Sequence, residues 1–281
     1  MKEILITGIN SYIGNQFEDW VISKNIDYQI KKVSVRNDEW KDMDWSKFDI
    51  ILHVAGIAHN SGNKNLQELY YAINRDLTGE IAKKAKKSGV RHFINMSSII
   101  IFGSSKSKID DTTLPKPDNY YGDSKLQGEM RLNELTNNSF KVSHIRPPMV
   151  YGSNSKGNFP LLVKLASITP AFPNYENKRS MIYIKNLCNF IVEVIENEID
   201  GELHPQNSEY VKTSDLVQAI GNYNQNTIIL VNGFNSIIKS LSNLNVIRKM
   251  FGDLYYSEEM YDGDVIYACY NFEESIADIF D

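Results

Sequence analysis

The amino-terminal segment constrains the fold of this chain more than any other part of it. The apolar run Ile4-Leu5-Ile6 has the composition of a buried parallel strand, and it ends at Thr7-Gly8. The residues that follow, through Val21, suit a helix. A strand, a tight glycine turn and a helix in this order place a helix N-terminus where it can bind a pyrophosphate. The same residues are equally compatible with a βα turn that has only a structural role.

The residues of this turn differ in what they allow. Gly8 allows the turn itself, and Gly14 allows the helix to pack closely against the sheet. Ser11 stands where such a turn usually has its middle glycine. Its hydroxyl can contact phosphate, although its Cβ limits the approach of the backbone. The residues predicted to surround a pyrophosphate are Gly8, Ser11, Tyr12, Ile13 and Gly14.

Strands and helices alternate through the first half of the chain. Residues 50–54 are predicted to form a buried strand, and the small residues Ala55 and Gly56 after it let a nucleotide lie close. Residues 66–88 have the helical period, and Gly89 suits a C-terminal stop. Further strands are predicted at 93–96 and 141–146. The apolar stripe of the predicted helix consists of Leu69, Ile73, Leu77 and Ile81.

Four polar side chains further along supply reactive groups. Tyr121 and Lys125 are four residues apart, so a helix places them on one face. A nearby cation favours the phenolate and lowers the pKa of a tyrosine. Ser97 and Ser98 end an apolar strand, at the edge where open α/β sheets bind ligands. Taken singly, these are an ordinary surface pair and ordinary strand-end residues; together with the glycine turn they indicate a catalytic site.

Several segments carry a resemblance to a known family. They are Thr7-Gly8 to Gly14, His53-Val-Ala-Gly56, Asn74, Ser97-Ser98, Tyr121 with Lys125, Arg146-Pro-Pro-Met-Val-Tyr-Gly152 and Arg179-Ser-Met-Ile-Tyr-Ile-Lys-Asn-Leu187. With them the chain resembles an extended short-chain dehydrogenase/reductase of the NAD-dependent epimerase/dehydratase family, in its nucleotide-sugar epimerase, dehydratase and reductase group. The similarity runs to about residue 190, and the remaining residues carry no motif that we can place.

The resemblance implies an α/β fold, a Rossmann-like doubly wound parallel sheet with a smaller C-terminal substrate-binding lobe. The implied dinucleotide-binding domain covers residues 1–152, with 181–205 returning to it, and the substrate-binding lobe covers 153–281. In relatives, the helices that correspond to residues 69–81 and 121–135 often build a homodimer, which is therefore expected here.

The resemblance also implies roles for the site residues. Tyr121 would exchange the proton of the reacting oxygen, while Lys125 would lower the Tyr121 pKa and bind the nicotinamide ribose. Ser98 would hydrogen-bond the carbonyl oxygen of the substrate, with Ser97 as the alternative. Arg179 would bind the substrate diphosphate, and its alternative is a surface salt bridge.

Other positions have roles that the resemblance leaves more open. Asn158 would contact the uracil or a phosphate. Asn74 is a catalytic residue or a hydrogen-bonding core residue. Lys185 stands where relatives have an acidic residue, and neither His53 nor His59 is expected to transfer a proton.

Cofactor choice depends on the residues after the second strand, where an acidic side chain would bind the adenine ribose hydroxyls. Here Ser34 and Arg36 stand at the strand end, without a carboxylate between them, and they suit a ribose 2′-phosphate. NADP(H) is therefore favoured over NAD(H). The alternative is that Arg36 is a surface residue and that Asp38 or a backbone group serves NAD(H).

The residues after Ser98 narrow the set of reactions that the chain could catalyse. Relatives that dehydrate sugars have an acidic pair there, whereas this chain has Ile99 and Ile100. It also lacks the cysteine that relatives place nearby to epimerise a carbon beside a ketone. Ketone reduction, dehydrogenation and 4-epimerisation remain, since these need only a hydride and one proton.

The favoured function is reduction of the 4-keto group of a UDP-4-keto-6-deoxy-N-acetylhexosamine for surface polysaccharide synthesis. The loop over residues 152–159 resembles that of such reductases. The alternatives are a UDP-sugar 4-epimerase with bound NAD, a non-catalytic dinucleotide-binding regulatory protein, and an enzyme whose substrate is not a nucleotide sugar.

Composition agrees with this reading. The net charge of -5 gives no basic surface for nucleic acid, and the two cysteines, Cys188 and Cys269, suggest neither a disulfide framework nor a metal site. The chain begins directly with its first strand, and no apolar run is long enough to cross a bilayer. A cytoplasmic protein without membrane insertion is expected.

Overall fold

The structure, a computed structural model, describes residues 1–58, 64–260 and 267–281. Its strands are β1 (Lys2–Thr7), β2 (Tyr28–Val33), β3 (Ile50–His53), β4 (His92–Met96), β5 (Lys108–Ile109), β6 (Lys141–Ile145), β7 (Met149–Tyr151), β8 (Ala171–Pro173), β9 (Met181–Tyr183), β10 (Gly201–Leu203), β11 (Ile229–Val231) and β12 (Tyr255–Tyr256). Its helices are α1 (Tyr12–Ser23), α2 (Glu39–Asp42), α3 (Gln67–Tyr71), α4 (Thr78–Lys87), α5 (Tyr120–Asn133), α6 (Phe159–Ile168), α7 (Ile184–Glu196), α8 (Thr213–Tyr223), α9 (Asn235–Ser240), α10 (Asn245–Phe251) and α11 (Phe272–Phe280). A π-helical segment, Ala72–Leu77, joins α3 to α4, and 3-10 turns cover Lys64–Leu66, Ile99–Phe102 and Glu258–Met260.

The main sheet consists of six parallel strands in the order β10-β6-β4-β3-β1-β2. Leu5 and Ile6 are fully buried, as expected for a strand that is covered on both faces. The strand order reverses between β1 and β3, and sheets of this kind bind ligands outside the carboxyl ends of the strands at that point. The predicted α/β fold with a Rossmann-like parallel sheet is confirmed.

The chain forms two compact units. The first comprises Met1–Ser104, Thr113–Pro147 and Cys188–Pro205, and it contains the six-stranded sheet. The second comprises Ser105–Thr112, Pro148–Leu187 and Gln206–Asp281. In its described part, short parallel pairs join β5 to β12, β7 to β9 and β8 to β11.

The core of the first unit lies between the sheet and the helices beside it. Strand residues on one sheet face pack against helix residues from α4 and α5 and against the segment that contains two buried tryptophans. The cluster includes Leu5, Ile51, Phe93, Val142, Ile81, Ala85, Leu132, Trp40 and Trp45. This packing fixes α5, and therefore the residues of its first two turns, against the sheet.

The predicted helix over 66–88 is interrupted. It begins with the turn Lys64–Leu66 and contains the π-helical segment in its middle. Since a π turn holds more residues than an α turn, the buried face shifts along the sequence. Leu69, predicted to be in the apolar stripe, is 46% exposed, whereas Ile81 is fully buried. The position of Leu69 in the stripe was therefore wrong, and the buried residues are Tyr70, Asn74, Thr78, Ile81, Ala82 and Ala85.

Candidate active site

Helix α5 holds Tyr121 in its first turn and Lys125 one turn later. The helix starts where it does because the Asn119 side chain accepts a hydrogen bond from the Gly122 N–H at 3.0 Å. A Cβ at Gly122 would lie 2.7 Å from the carbonyl oxygen of Ile100, so only glycine lets α5 approach the 3-10 turn after β4 this closely. The predicted helical pairing of Tyr121 and Lys125 is present.

Tyr121 is hydrogen-bonded to Ser98. Burial raises the Tyr121 pKa to about 12, against the effect of the Ser98 hydrogen bond, and the nearby Tyr70 raises it further. The rings of Tyr70 and Tyr121 have their centres 5.8 Å apart. The expected lowering of the Tyr121 pKa by Lys125 is therefore wrong for this structure, because desolvation dominates. At neutral pH Tyr121 keeps its proton.

Lys125 is buried, with 8% of its surface exposed. Its ammonium donates a hydrogen bond to the carbonyl oxygen of Met96 at 2.9 Å. Burial lowers its pKa to about 8, while the carboxylate of Glu129 acts in the opposite direction. The Lys125 ammonium therefore loses its proton more readily than an exposed lysine does.

Gly56 brings the loop after β3 against this ammonium. A Cβ at Gly56 would lie 3.0 Å from both Lys125 Nζ and Asn74 Oδ1. Asn74 is buried and binds the loop by two hydrogen bonds, accepting from the Ile57 N–H and donating to the Ile57 carbonyl, each at 3.0 Å. It also donates to Ser124 Oγ at 3.1 Å. These contacts favour the core hydrogen-bonding role over a catalytic role for Asn74.

The two serines after β4 have different surroundings. Ser98 is extended, and its Oγ accepts from the Ile100 N–H at 3.3 Å beside its bond to Tyr121. Ser97 is 4% exposed, and within the described residues its Oγ has no hydrogen-bond partner. Of the two, Ser98 is the hydroxyl in contact with Tyr121.

The turn after β1 fits a dinucleotide phosphate. Gly8 has φ +98°, and a Cβ there would lie 3.2 Å from the backbone of Ala55, so the ends of β1 and β3 meet closely. A Cβ at Gly14 already approaches Ile6 Cγ2 at 3.0 Å, the close helix–sheet contact predicted for this glycine. Ser11 Oγ accepts from the Gly14 N–H at 3.1 Å and caps α1.

Neighbouring residues of this turn differ in burial. The Tyr12 hydroxyl is buried without a hydrogen-bond partner among the described residues, and burial raises its pKa. Ile13 is partly buried. The capped helix N-terminus, the close-packed glycines and this unpaired hydroxyl suit a bound pyrophosphate.

Ser34 and Arg36 directly follow β2. Ser34 Oγ accepts from the Arg36 N–H at 3.4 Å, and the Arg36 side chain is exposed with no ion-pair partner among the described residues. Asp38, the alternative contact for an NAD ribose, instead pairs with Lys41 at 2.8 Å. The strand end therefore carries a guanidinium available to a phosphate.

Two of the three predicted substrate residues, Arg179 and Asn158, lie in the second unit, whereas Ser97 lies in the first. Arg179 Nη1 donates to the carbonyl oxygens of Lys249 and Gly252 at 3.1 and 2.8 Å, and burial lowers its pKa. No carboxylate of the described residues lies in ion-pair range of it, so the alternative of a surface salt bridge is wrong. Asn158 is exposed, and its side chain does not cap α6.

Lys185 has a partner that the sequence did not suggest. Its ammonium lies 2.7 Å from a carboxylate oxygen of Asp278 in α11, and the Tyr183 hydroxyl donates to the same carboxylate. The departure from the acidic residue of relatives is thus matched by an acidic residue from the last helix.

Sequence reasoning missed Glu129 as a neighbour of the site. It lies one turn beyond Lys125 on α5, is buried, and forms an ion pair with buried Arg146 at 2.6 Å. The spacing of four residues from Lys125 was the available signal.

His53 makes only core contacts among the described residues. His53 is buried between two threonine hydroxyls, Thr7 Oγ1 at 2.7 Å and Thr78 Oγ1 at 3.0 Å, and burial lowers its pKa to about 3. His59 lies outside the described residues. Within the described ranges no cluster of His, Cys, Asp and Glu could hold a metal ion, and none of their helices is long and apolar enough to cross a membrane.

Comparison with known structures agrees with the fold. The chain has the same fold as dTDP-4-dehydrorhamnose reductase of Bacillus anthracis, solved with NADP, at a TM-score of 0.76 and 18% identity over 100% of this chain and 99% of that chain. UDP-N-acetylglucosamine 4-epimerase of Bacillus cereus gives a TM-score of 0.77 at 16% identity, over 100% of this chain and 98% of that chain. Both have a Rossmann-type fold like the one described above.

Sequence comparison gives the family. The model of the NAD dependent epimerase/dehydratase family matches residues 4–204, and the chain belongs to this family. It is 31% identical over 222 residues to UDP-glucose 4-epimerase of Vibrio cholerae, covering 70% of this chain and 67% of that protein.

The name of a second curated relative indicates a sugar that is linked to undecaprenol diphosphate. N-acetyl-alpha-D-glucosaminyl-diphospho-ditrans,octacis-undecaprenol 4-epimerase of Escherichia coli O157:H7 is 28% identical over 218 residues, 70% of this chain and 64% of that protein. The chain spans about two thirds of the length of these two relatives. The predicted family resemblance is confirmed, and with it membership in a family of NAD-dependent enzymes.

Proposed function

We propose that this protein is an NAD(P)-dependent oxidoreductase that reduces the 4-keto group of a nucleotide sugar. Its proposed substrate is a UDP-4-keto-6-deoxy-N-acetylhexosamine, and its context is surface polysaccharide synthesis. The observation that carries the proposal is the hydrogen-bonded pair of Ser98 and Tyr121, with Lys125 one turn away, at the carboxyl edge of a parallel sheet.

The side chains have the groups that a ketone reduction needs. NADPH, when bound, would supply the hydride. Tyr121 would donate its proton to the developing alkoxide, and general-acid catalysis of this kind contributes about 10²–10⁴-fold. Ser98 would hydrogen-bond the carbonyl oxygen beside Tyr121. The Lys125 ammonium would bind the nicotinamide ribose hydroxyls and stabilise negative charge on the reacting oxygen.

Tyr121 carries the proton that a ketone reduction consumes. Burial raises its pKa to about 12, so the phenol holds this proton at neutral pH. The turn after Ser98 consists of Ile99, Ile100, Ile101 and Phe102 and offers no acid–base pair for a dehydration.

The exposed guanidinium of Arg36, beside Ser34, supports NADP(H) over NAD(H) as the cofactor. In the second unit, Arg179 would bind the substrate diphosphate and Asn158 the uracil or a phosphate. The Arg179 guanidinium donates to backbone carbonyls and forms no ion pair with a carboxylate of the described residues. Its positive charge therefore suits an anionic ligand.

A UDP-sugar 4-epimerase with bound NAD is the second candidate. It is favoured by the names of the two curated relatives above, both of them 4-epimerases. Such an enzyme uses the same tyrosine and lysine, but it returns the hydride to its substrate. The two candidates therefore differ in whether cofactor is consumed.

An assay separates them. The purified protein is mixed with UDP-4-keto-6-deoxy-N-acetylglucosamine and either NADPH or NADH, and cofactor absorbance and the NMR spectrum of the sugar are followed. Oxidation of NADPH with formation of the 4-hydroxy sugar is expected. Interconversion of UDP-hexoses without cofactor consumption would instead establish the epimerase, and cofactor binding without either reaction would contradict both.

The protein is also proposed to be a cytoplasmic homodimer. Leu69 on α3 and Met130 on α5 are 46% and 58% exposed, and apolar side chains on these two helices would be covered by a second copy. Light scattering should give twice the chain mass of 32.2 kDa, and a monomer at micromolar concentration would overturn the dimer.

A further inference from the structure

A long stretch of the second unit has an unusual charge pattern. Residues 216–252 contain no Asp or Glu, although the whole chain has 35 of them and a net charge of -5. The same stretch contains three basic residues, Lys239, Arg248 and Lys249, all exposed. Between Asp215 and Asp253, this stretch of the sequence therefore carries only positive charges, on a chain whose net charge is -5.

The same stretch exposes large apolar side chains in a helical arrangement. The turns of α9 continue to residue 244, since the Leu241 N–H donates to the Ile237 carbonyl and the Leu244 N–H to the Leu241 carbonyl. Side chains three and four apart then share one side of this segment. Between 42% and 55% of each side chain is exposed in the group that we call the apolar face, Phe234, Ile237, Leu241 and Leu244.

The opposite side of the segment is anchored in the second unit. Ile238 is buried, and Phe251 at the end of α10 stacks on Phe172 of β8 with ring centres 5.6 Å apart. Arg179 holds the same end of α10 through the carbonyls of Lys249 and Gly252. The apolar face is thus the outward side of a fixed segment.

An outward apolar face in a stretch of sequence that has basic residues and no acidic ones matches one kind of surface. Amphipathic segments at membrane interfaces place aliphatic and aromatic side chains in the headgroup boundary, with Lys and Arg beside anionic lipid phosphates. An apolar interface with a second copy would gain nothing from the excess of like charge, because a two-fold contact brings each cationic patch near its own copy.

We propose that the apolar face, with Lys239 and Lys249 beside it, binds the surface of a membrane that contains anionic lipids. The segment lies on the bilayer and does not cross it, in keeping with its short helices. This binding is independent of the reaction proposed above.

Vesicle sedimentation with the full chain tests the proposal. The protein is mixed with vesicles of pure phosphatidylcholine and with vesicles in which a third of the lipid is phosphatidylglycerol. Binding to the anionic vesicles only, weakened by salt, is expected. The double variant Lys239→Gln/Lys249→Gln should bind about tenfold or more weakly, since each basic residue near an anionic surface contributes about fivefold.

Matched apolar variants separate lipid binding from other causes. Ile237→Ser should lose vesicle binding, whereas Ile22→Ser, an exposed isoleucine of α1 in the first unit, should keep it. Circular dichroism and turnover of both variants should equal those of the parent. The proposal is overturned if the parent ignores anionic vesicles, if both isoleucine variants behave alike, or if Ile237→Ser instead converts a dimer to a monomer in light scattering.

Discussion

At the scale of a single residue, the burial of Lys125 controls its charge, and its charge should control how strongly the cofactor binds. Its ammonium is held by the Met96 carbonyl in a buried place beside Gly56, and burial lowers its pKa to about 8. Below that pH the side chain is protonated and positively charged, and above it the side chain is neutral. Glu129, fixed by Arg146 one turn away, opposes the loss of the proton.

Cofactor affinity should therefore fall as the pH rises through about 8. We expect the dissociation constant for NADPH to increase about fivefold between pH 7 and pH 9.5, because a charged hydrogen bond to the ribose is replaced by a neutral one. Fluorescence titration across this range measures it. Lys125→Met should bind weakly at every pH, and a constant affinity for the parent protein would contradict the assigned role of Lys125.

Ser98 and Ser97 should differ sharply when each is replaced by alanine. Ser98 contacts Tyr121, so Ser98→Ala should lower kcat by about 10², the usual cost of losing one donor to a developing oxyanion. The Ser97 hydroxyl has no partner among the described residues, so Ser97→Ala should leave kcat within about threefold. Equal losses in steady-state assays would show that the substrate oxygen is held by Ser97 as well.

Arg36 should determine the preference between the two cofactors. Arg36→Ala removes the exposed guanidinium at the end of β2 and should raise the KM for NADPH about tenfold, since a charge-assisted phosphate contact is lost. The KM for NADH should stay unchanged, because NADH has no 2′-phosphate. A parallel rise in both constants would place Arg36 outside the ribose site.

At the scale of elements, an ion pair helps to hold the last helix, α11. Lys185 in α7 pairs with Asp278 in α11, and α11 begins with a capping box formed by Asn271 and Glu274. Burial opposes ionisation of Asp278, but hydrogen bonds from Lys185 and Tyr183 lower its pKa. Both partners are partly exposed, so the ion pair stabilises less than a buried one.

Reversing one charge of this pair should weaken the fold. Lys185→Asp places two carboxylates together and should lower the free energy of unfolding by about 1 kcal/mol. The double variant Lys185→Asp/Asp278→Lys should recover most of the loss. Urea denaturation measures both, and equal stability of the single and double variants would mean that the pair does not hold α11.

The elements show where sequence reasoning succeeds and where it stops. The strand–turn–helix at Gly8 and the helix of Tyr121 follow from local signals, a glycine turn and a spacing of four. The π-helical segment does not follow from a local signal. Its Asn74 side chain binds the backbone of Ile57, which lies 17 residues earlier in the chain. Leu69 is accordingly exposed, although it lies one helical turn before Ile73 of the predicted stripe.

At the scale of the whole molecule, the two units differ in how far their sequences predict them. The central strands β1 and β3 of the first unit contain continuous apolar runs, which the sequence displays directly. The second unit pairs very short strands that are distant along the chain, such as β5 with β12. Strands of two or three residues have no periodicity to recognise. The raised pKa of Tyr121 also could not be predicted from the sequence, because desolvation depends on tertiary packing.

The central claim is that hydride passes from the cofactor to C4 of a keto sugar while Tyr121 supplies the proton. The most direct measurement uses NADPH with deuterium at the transferable C4 position, UDP-4-keto-6-deoxy-N-acetylglucosamine, and NMR of the product. We predict one deuterium at C4 of the 4-hydroxy sugar for each cofactor oxidised, with turnover reduced at least about 10²-fold in Tyr121→Phe although the variant still binds NADPH. A product without deuterium, or undiminished transfer in the variant, would contradict the account.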